Sequence, residues 1–294
     1  MTGPPVEQGT RVPWWRLLLG NPVTALATAV LLVIAVVAVA AEWIAPYGIN
    51  KVDVSDALHP PGGAHWFGTD ELGRDVFSRV LVATHASMQV AVASVAFAFV
   101  AGVTVGVVSG YRGGWLDTVL MRLVDVMFAF PVLLLALAIV AILAPGTSTT
   151  ILAIGIVYTP IFARVARAST LGVRVEPYVA VSRAMGTGDL YILGRHVLPN
   201  IAGPVIVQTS LSLAFAILSE AALSFLGLGI QPPQPSWGRM LFDAQGFVHR
   251  AWWMSVLPGA AIFVTVLAFN LLGDGLRDVL DPKQRTMIEA RRKR

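Results

Sequence analysis

The sequence predicts an all-α integral membrane protein whose single bundle contains six transmembrane helices. Hydrophobic residues make up 56% of the 294 residues and charged residues only 13%, whereas about a quarter of the residues of an ordinary soluble domain are charged. Several uncharged runs are long enough to cross a bilayer as helices. Pro- and Gly-rich segments separate these runs, and none of them is typical of a separate soluble domain.

The first predicted span is the uncharged run at residues 23–41. The tail before it, residues 1–22, carries Arg11 and Arg16 and could be mistaken for the start of a secretory signal peptide. The apolar run is too long for a signal peptide, and no convincing small-residue cleavage site follows it, so we expect a retained helix. Residues 42–85 are rich in Pro and Gly and are predicted to form an external segment without a long helix.

The second predicted span, residues 87–108, belongs to a segment with a small residue at every fourth position. These residues are Ser94, Ala98, Gly102, Gly106 and Gly110. They lie on one face of a helix and permit the close approach of a neighbouring backbone. We therefore expect a packing face, in preference to the lining of a pore.

The third predicted span, residues 116–143, begins with charged residues and then becomes wholly apolar. Pro131 is expected to kink it, because proline lacks the backbone N–H that a helix requires. Arg122 and Asp125 are three residues apart on this helix, a spacing at which opposite charges can pair. We predict a structural salt bridge between them near the membrane surface, in preference to a transport role.

The last three spans are predicted where uncharged runs recur, at residues 151–168, 201–226 and 252–272. Loops are expected at residues 144–150 and 227–251. A core of five helices therefore occupies residues 86–282, and a basic tail, residues 283–294, follows it.

Glu220 is the only carboxylate that the sequence places well inside a span. At that depth a carboxylate must be paired, hydrogen-bonded or protonated. Structural hydrogen bonding is the favoured interpretation, and a direct role in gating or coupling is the alternative.

The segment between the fourth and fifth spans, residues 176–200, is long and mixed in character. Pro177 is suited to the first position of a short helix, and Gly186 is suited to end that helix with a positive φ. Thr187 or Asp189 could cap a second helix, which Pro199 is expected to end. The pattern predicts a helix, a Gly turn and a helix.

The distribution of basic residues predicts how the spans are oriented. Most of the 21 Lys and Arg residues lie at the termini, in the turn after the second span and in the segment at residues 176–200. Cytoplasmic loops carry an excess of Lys and Arg, so we expect both termini and this segment in the cytoplasm. This asymmetry also explains the net charge of +4 without nucleic acid as a partner.

The sequence lacks the motifs of catalytic and cofactor-binding proteins. It contains no cysteine, and its five histidines are scattered. No Gly-rich loop ending in Gly-Lys-Ser/Thr is present, and neither is Gly-x-Ser-x-Gly or His-Glu-x-x-His. We therefore expect no enzymatic activity, no metal site and no cofactor in this chain.

Residues 176–200 resemble the EAA loop of the permease subunits of ABC importers. That pattern is Glu-Ala-Ala, three residues, Gly, nine residues and then Ile-x-Leu-Pro. Gly186, Leu198 and Pro199 agree with it, whereas Ala180 and His196 stand where the family has Glu and Ile. The resemblance implies that this segment couples the permease to an ATPase, and it assigns the coupling to Glu176, Ala180, Ser182, Arg183, Gly186, Asp189, Leu198 and Pro199.

Other stretches resemble the C-type permease of dipeptide and oligopeptide importers and occur in the order of that family. They are residues 67–79 (FGTDELGRDVFSR), 121–131, 220–229 (EAALSFLGLG), 235–238 (PSWG) and 271–278 (LLGDGLRD). Within the first stretch, Asp70 could cap a short external helix, and Arg74 could form a charge pair with Asp75. Contact with a solute-binding protein is possible there, although a plain structural role is favoured.

The resemblance implies a type I importer permease with a MetI-like fold in a bacterial inner membrane, its first span lying outside the core. It further implies a B-type permease as heterodimer partner, two ABC ATPase subunits that bind ATP and Mg²⁺, and an extracytoplasmic solute-binding protein. Its substrates would be dipeptides, longer peptides or related solutes such as nickel complexes. The alternative is a proton-coupled secondary transporter that uses Glu220 as a relay.

Overall fold

The computed structural model describes residues 14–280, and eleven α-helices account for most of them. The helices are α1 (Trp14–Leu18), α2 (Pro22–Ile44), α3 (Val76–Arg112), α4 (Gly114–Phe128), α5 (Val132–Leu143), α6 (Thr147–Arg174), α7 (Pro177–Ala184), α8 (Asp189–Ile192), α9 (Leu198–Phe225), α10 (Trp237–Ala244) and α11 (Trp253–Leu280). Residues 14–280 contain no β-strand. The predicted basic tail, residues 283–294, and the first part of the N-terminal tail lie outside the described residues.

Five helices are long and apolar enough to cross a membrane, and the bent pair α4–α5 makes a sixth span if it is counted as one. This confirms the predicted all-helical membrane fold. The first span begins at Pro22, where the Asn21 side chain accepts a hydrogen bond from the Val23 N–H at 3.0 Å. A proline at the first position and an asparagine before it are favourable at the start of a helix.

The second span begins earlier than predicted, at Val76. The predicted boundary between the external segment and the five-helix core, at residues 85 and 86, therefore falls inside α3. Asp75 starts the helix, because its Oδ2 accepts a hydrogen bond from the Ser78 N–H at 2.7 Å. The prediction that Asp70 caps a short external helix is therefore wrong. Asp70 instead binds Arg74, with 2.6 Å between the Arg74 Nε and the Asp70 Oδ2. The predicted charge pair of Arg74 with Asp75 is therefore also wrong, and Asp75 contacts His65 at 2.8 Å.

The stripe of small residues on α3 packs against α6, as predicted. A Cβ atom added to Gly102 would lie 2.5 Å from the carbonyl oxygen of Thr159, and one added to Gly106 would meet the carbonyl oxygen of Ala163. Only glycine permits backbones to approach this closely. The hydrophobic core of the bundle is built around this contact.

The third predicted span is broken into α4 and α5, which meet at an angle of 89°. Pro131 lies at the break, which confirms the predicted position of the kink. The angle between the two helices is far larger than that of a kink within one continuous helix. The predicted pair of Arg122 and Asp125 is wrong. The Asp125 Oδ1 lies 2.8 Å from the Arg164 Nη2, because α6 presents a partner directly to this face of α4.

The remaining helices extend beyond their predicted limits. The segment at residues 227–251 was expected to be a loop, yet it contains α10, which begins where the Ser236 Oγ accepts a hydrogen bond from the Arg239 N–H. Helix α11 continues past residue 272 to Leu280. Residues 227–251 and the external segment line a common cleft at one end of the bundle. Beside it, the Trp253 Nε1 at the start of α11 donates a hydrogen bond to the Thr69 carbonyl oxygen.

Gly102→Ala is expected to destabilise the protein by about 1–3 kcal/mol, the usual cost of overpacking a filled contact. The new methyl group would meet a backbone atom of α6, which cannot move aside alone. Gly172→Ala on α6 is the matched control, since no atom lies within 4 Å of its added methyl group. Thermal unfolding in detergent compares the two variants, and equal midpoints would contradict the close packing of α3 against α6.

Candidate functional site: the helical hairpin between α6 and α9

Residues 176–200 form a helical hairpin that leaves the bundle between α6 and α9; we call it the hairpin. Its first arm is α7, and Gly186 ends that arm with a φ of +77°. A positive φ is accessible to glycine at little cost. The predicted order of helix, Gly turn and helix is therefore confirmed.

The second arm differs from the prediction in two details. Gly188 precedes α8, and no side chain caps this helix, so neither Thr187 nor Asp189 has the predicted capping role. Pro199 does not end the helix. A π-helical turn at Leu193–Val197 leads into α9, and Pro199 lies in the first turn of α9, where a missing N–H is tolerated.

Buried apolar side chains and one histidine hold the hairpin in place. Val179, Ile192 and Val197 are fully buried and belong to the same hydrophobic core as the bundle. His196 lies beside the rings of two tyrosines, and its Nε2 lies 3.2 Å from the Ser182 Oγ. His196 therefore occupies the position of the family's Ile with polar and aromatic contacts.

Two residues that the sequence analysis did not single out join the elements at the base of the hairpin. The hydroxyl of Tyr111, at the end of α3, donates a hydrogen bond to the Asp189 Oδ1 at 2.8 Å. The Arg174 Nη1 donates hydrogen bonds to the carbonyl oxygens of Gly110 and Tyr111 at 3.1 and 3.2 Å. Both contacts join residues more than 60 positions apart, so no local sequence pattern could reveal them.

A partly buried ion pair stabilises the bundle near the contacts of Tyr111 and Arg174. The Arg167 guanidinium on α6 binds Asp117 on α4 through two parallel hydrogen bonds of 2.6 and 2.7 Å, and Ser109 donates a third hydrogen bond to Asp117. Bidentate pairs fix geometry as well as charge. The end of the bundle that carries the hairpin is therefore held rigidly across α3, α4 and α6.

The surface of the hairpin is unusually apolar for an exposed projection. Leu190 is 86% exposed and Met185 is 80% exposed, and Val175, Val181 and Tyr191 are also exposed. Contiguous apolar groups on a soluble surface commonly mark a protein contact. Of the predicted coupling residues, Ser182 is half-buried, and the exposed ones are Glu176, Ala180, Arg183, Gly186, Asp189, Leu198 and Pro199.

Of the predicted intramembrane polar residues, Glu220 lies on a different helix from Arg122 and Asp125. Glu220 is fully buried near the other end of α9, far along the chain from the hairpin, and accepts a hydrogen bond from the Ser224 hydroxyl at 2.7 Å. Arg122 and Asp125 are exposed on α4. Within residues 14–280, no group of three or more His, Asp or Glu side chains is arranged to hold a metal ion.

A charged cluster occupies the end of the bundle opposite the hairpin. Arg74 bridges Asp70 and Glu71 on one side of a cleft of about 210 Å³. On the other side, Arg239 and Asp243 of α10 pair with each other at 3.0 Å. Burial, followed by the neighbouring charge of Asp70, raises the pKa of the Glu71 carboxyl. The charged residues of the stretch at residues 67–79 therefore pair mainly with other residues of this chain.

Several apolar spans and one structured hairpin between two of them define a multi-pass helical membrane protein with the architecture of a transport permease. The chain belongs to the family described as binding-protein-dependent transport system inner membrane component, which matches residues 102–286, more than half of the chain. A second family, the N-terminal TM domain of oligopeptide transport permease C, matches residues 13–61.

Close relatives cover nearly the whole chain. The glutathione transport system permease protein GsiD of Pectobacterium atrosepticum is 43% identical over 94% of this chain and 93% of its own length. The dipeptide transport system permease protein DppC of Alkalihalophilus pseudofirmus is 40% identical over 96% and 94%. The probable D,D-dipeptide transport system permease protein DdpC of Escherichia coli is 40% identical over 94% and 92%.

Solved structures share the fold at low identity. An inward-facing MetNI methionine ABC transporter contains a chain that is 18% identical, with a TM-score of 0.56 over 69% of this chain and 95% of its own length. A chain of an amino acid ABC transporter is 16% identical, with a TM-score of 0.50 over 65% and 89%. These likenesses show a MetI-like permease fold.

The family also decides the question of enzymatic activity. In ABC transporters of this kind, separate ATPase subunits hydrolyse ATP, so the permease is not itself an enzyme. The proton-coupled alternative built on Glu220 finds no support among these relatives.

Tyr111→Phe is expected to loosen the hairpin, because it removes the hydrogen bond to Asp189 and leaves the packing of the ring unchanged. A net loss of about 1 kcal/mol corresponds to roughly fivefold faster hydrogen exchange of the amides in α8. Tyr191→Phe is the control, since it removes an exposed hydroxyl from the same hairpin. Equal exchange rates in the two variants would show that the Tyr111 contact does not hold the hairpin.

Proposed function

We propose that this chain is one of two permease subunits of an ATP-driven importer that carries peptides across a bacterial inner membrane. Membership of the family and the names of three relatives, which refer to dipeptide and glutathione transport, support this proposal. Peptides of two or three residues are the substrate class that these names have in common. The chain lines one half of the path, and a B-type permease lines the other.

In the proposed orientation, the hairpin and both termini lie in the cytoplasm, and the charged cluster faces outward. The excess of Lys and Arg on the side of the hairpin supports this orientation. The cytoplasmic side then meets two ABC ATPase subunits, which bind ATP and Mg²⁺. The outward side meets a solute-binding protein, which delivers the peptide.

The hairpin is proposed to be the contact with one ATPase subunit. The observation that carries this proposal is its exposed apolar surface, with Met185 and Leu190 beside the Gly186 turn. Burying this surface in a matching groove of a partner would stabilise the complex by about 25 cal/mol per Å² of apolar area removed from water. Glu176, Arg183 and Asp189 form a polar rim around it.

The proposed mechanism is alternating access driven from outside the chain. When the ATPase subunits close on ATP, the hairpin moves with them and displaces α9, which begins directly after it. The spans of the two permeases then rock against each other and open the path to the opposite side. This chain transmits the force, and the chemistry of ATP hydrolysis remains with the partner subunits.

The double variant Met185→Asp, Leu190→Asp is expected to weaken ATPase binding by about 2 kcal/mol or more, roughly 30-fold, as for a central interface residue. Both changes place a charge where an apolar contact is proposed. Co-purification of the ATPase subunits and ATP-dependent uptake of a labelled dipeptide by proteoliposomes measure the effect. Val54→Asp, an exposed apolar residue in the external segment, is the matched control.

Gly186→Val and Gly186→Asn refine the same test. Valine at a positive φ is strained by about 1–2 kcal/mol, whereas asparagine tolerates this conformation. No atom lies within 4 Å of an added Cβ, so any effect reports on the shape of the backbone. Undiminished association and uptake in the double variant and in Gly186→Val would refute the proposed coupling.

A further inference from the structure

Glu220 lies in a buried polar cluster that the proposed coupling does not use. Its side chain is fully buried near the end of α9 remote from the hairpin. The Ser224 hydroxyl donates to the Oε1 at 2.7 Å, and the Oε2 has no hydrogen-bond partner. The hydroxyls of Ser87 on α3 and Ser236 before α10 also lie beside this carboxyl group.

Each of these three serines accepts a hydrogen bond from a backbone N–H in residues 230–239, the first part of the loop that contains α10. Ser224 accepts from Ile230, Ser87 from Trp237 and Ser236 from Arg239, at distances of 3.1 to 3.2 Å. A hydroxyl that accepts such a bond keeps its own proton for donation. Glu220 thus orients the Ser224 hydroxyl directly, and the two other hydroxyls that hold this loop lie beside the same carboxyl group.

Close packing fixes α10 in the same place. A Cβ atom added to Gly238 would meet the backbone of Ala221, and the indole N–H of Trp237 donates to the Val80 carbonyl oxygen at 3.3 Å. The start of α10 is thus attached to both α3 and α9. Its far end carries Asp243, which faces the cluster of Glu71 and Arg74 across the cleft.

The helix that carries Glu220 is continuous with the hairpin. The helical path Asp189–Phe225 contains 37 residues, which is about 55 Å at 1.5 Å per residue. A π-helical turn at Leu193–Val197 and Pro204 lie within this path, but neither divides it into separate helices, so a push at one end is carried towards the other. A displacement of the hairpin therefore reaches the Glu220 cluster at the other end of the bundle.

We propose that Glu220 is a positioning residue that fastens residues 230–244 to α9, so that α10 moves with the hairpin during transport. The inference rests on the proposed function, since the ATPase subunits supply the displacement. Its consequence is that the cleft between α10 and the external segment changes width in each cycle. Binding of ATP on one side of the membrane thereby alters the surface on the other.

Distances between one label on the external segment and one on the loop that contains α10 test this proposal in the assembled transporter. The chain contains no cysteine, so Val54→Cys and Val248→Cys, both at exposed positions, place two spin labels when the partner subunits are also free of reactive cysteines. The distance between the labels is measured with and without ATP and vanadate. We expect it to change in the otherwise unaltered protein and in Glu220→Gln, which preserves the shape of the side chain.

In Glu220→Leu we expect the nucleotide-dependent change in distance to disappear and peptide uptake to fall at least tenfold, while ATP hydrolysis persists. This combination separates a positioning role from misfolding, which would lower yield, hydrolysis and uptake together. Ser219→Ala is the matched control, because Ser219 is adjacent on α9 but contacts Tyr158 on α6. The milder pair Ser87→Ala, Ser236→Ala should reduce the change in the same direction if Glu220→Leu fails to fold.

Two results would overturn the inference. One is a nucleotide-dependent distance change and normal uptake in Glu220→Leu or, if that variant does not fold, in the double serine variant. The other is an unchanged distance in the unaltered protein that nevertheless transports peptide. Failure of the proposed function is distinct, since it would appear as the absence of ATP-dependent peptide uptake before any substitution at Glu220.

Discussion

The contact of the α3 backbone with the α6 backbone is the constraint on which the rest of the structure depends. Glycines at every fourth position of α3 allow carbonyl oxygens of α6 to lie where any side chain would stand. In a bilayer, lipid solvates apolar side chains as well as protein does, so close packing and hydrogen bonds must supply the association. The ion pair of Asp117 and Arg167 then joins α4 to α6 next to this contact.

The position of the hairpin follows from the same contact. Tyr111 and Arg174 lie at the adjoining ends of α3 and α6. Tyr111 binds Asp189 in the second arm of the hairpin, and Arg174 ties the end of α6, where the hairpin starts, to the end of α3. The apolar tip is thus presented by a fixed base, which suits the proposed coupling to an ATPase subunit. A flexible loop with the same surface would absorb the displacement of a partner.

The sequence was sufficient for the features that depend on composition and on local backbone requirements. The spans, the packing stripe on α3, the Gly186 turn and the break at Pro131 were all predicted, because each reflects hydropathy or the geometry of one residue. The pairing of Asp125 with Arg164 and the anchoring by Tyr111 were not predicted, because they join separate helices. The start of α3 was placed too late, because the span was located by its apolar run and the first turns of the helix carry Arg79, Thr84 and His85, which interrupt that run.

The break between α4 and α5 has a consequence for which side of the subunit can face lipid. Ala129, Phe130 and Pro131 are exposed at this point, and the backbone there leaves the helical pattern. Hydrocarbon cannot satisfy the freed carbonyl groups, so irregular backbone at membrane depth is tolerated only against protein or water. If the break lies within the bilayer, the surface around Phe130 faces a neighbouring subunit or a wetted passage, and this side of the subunit is turned away from lipid.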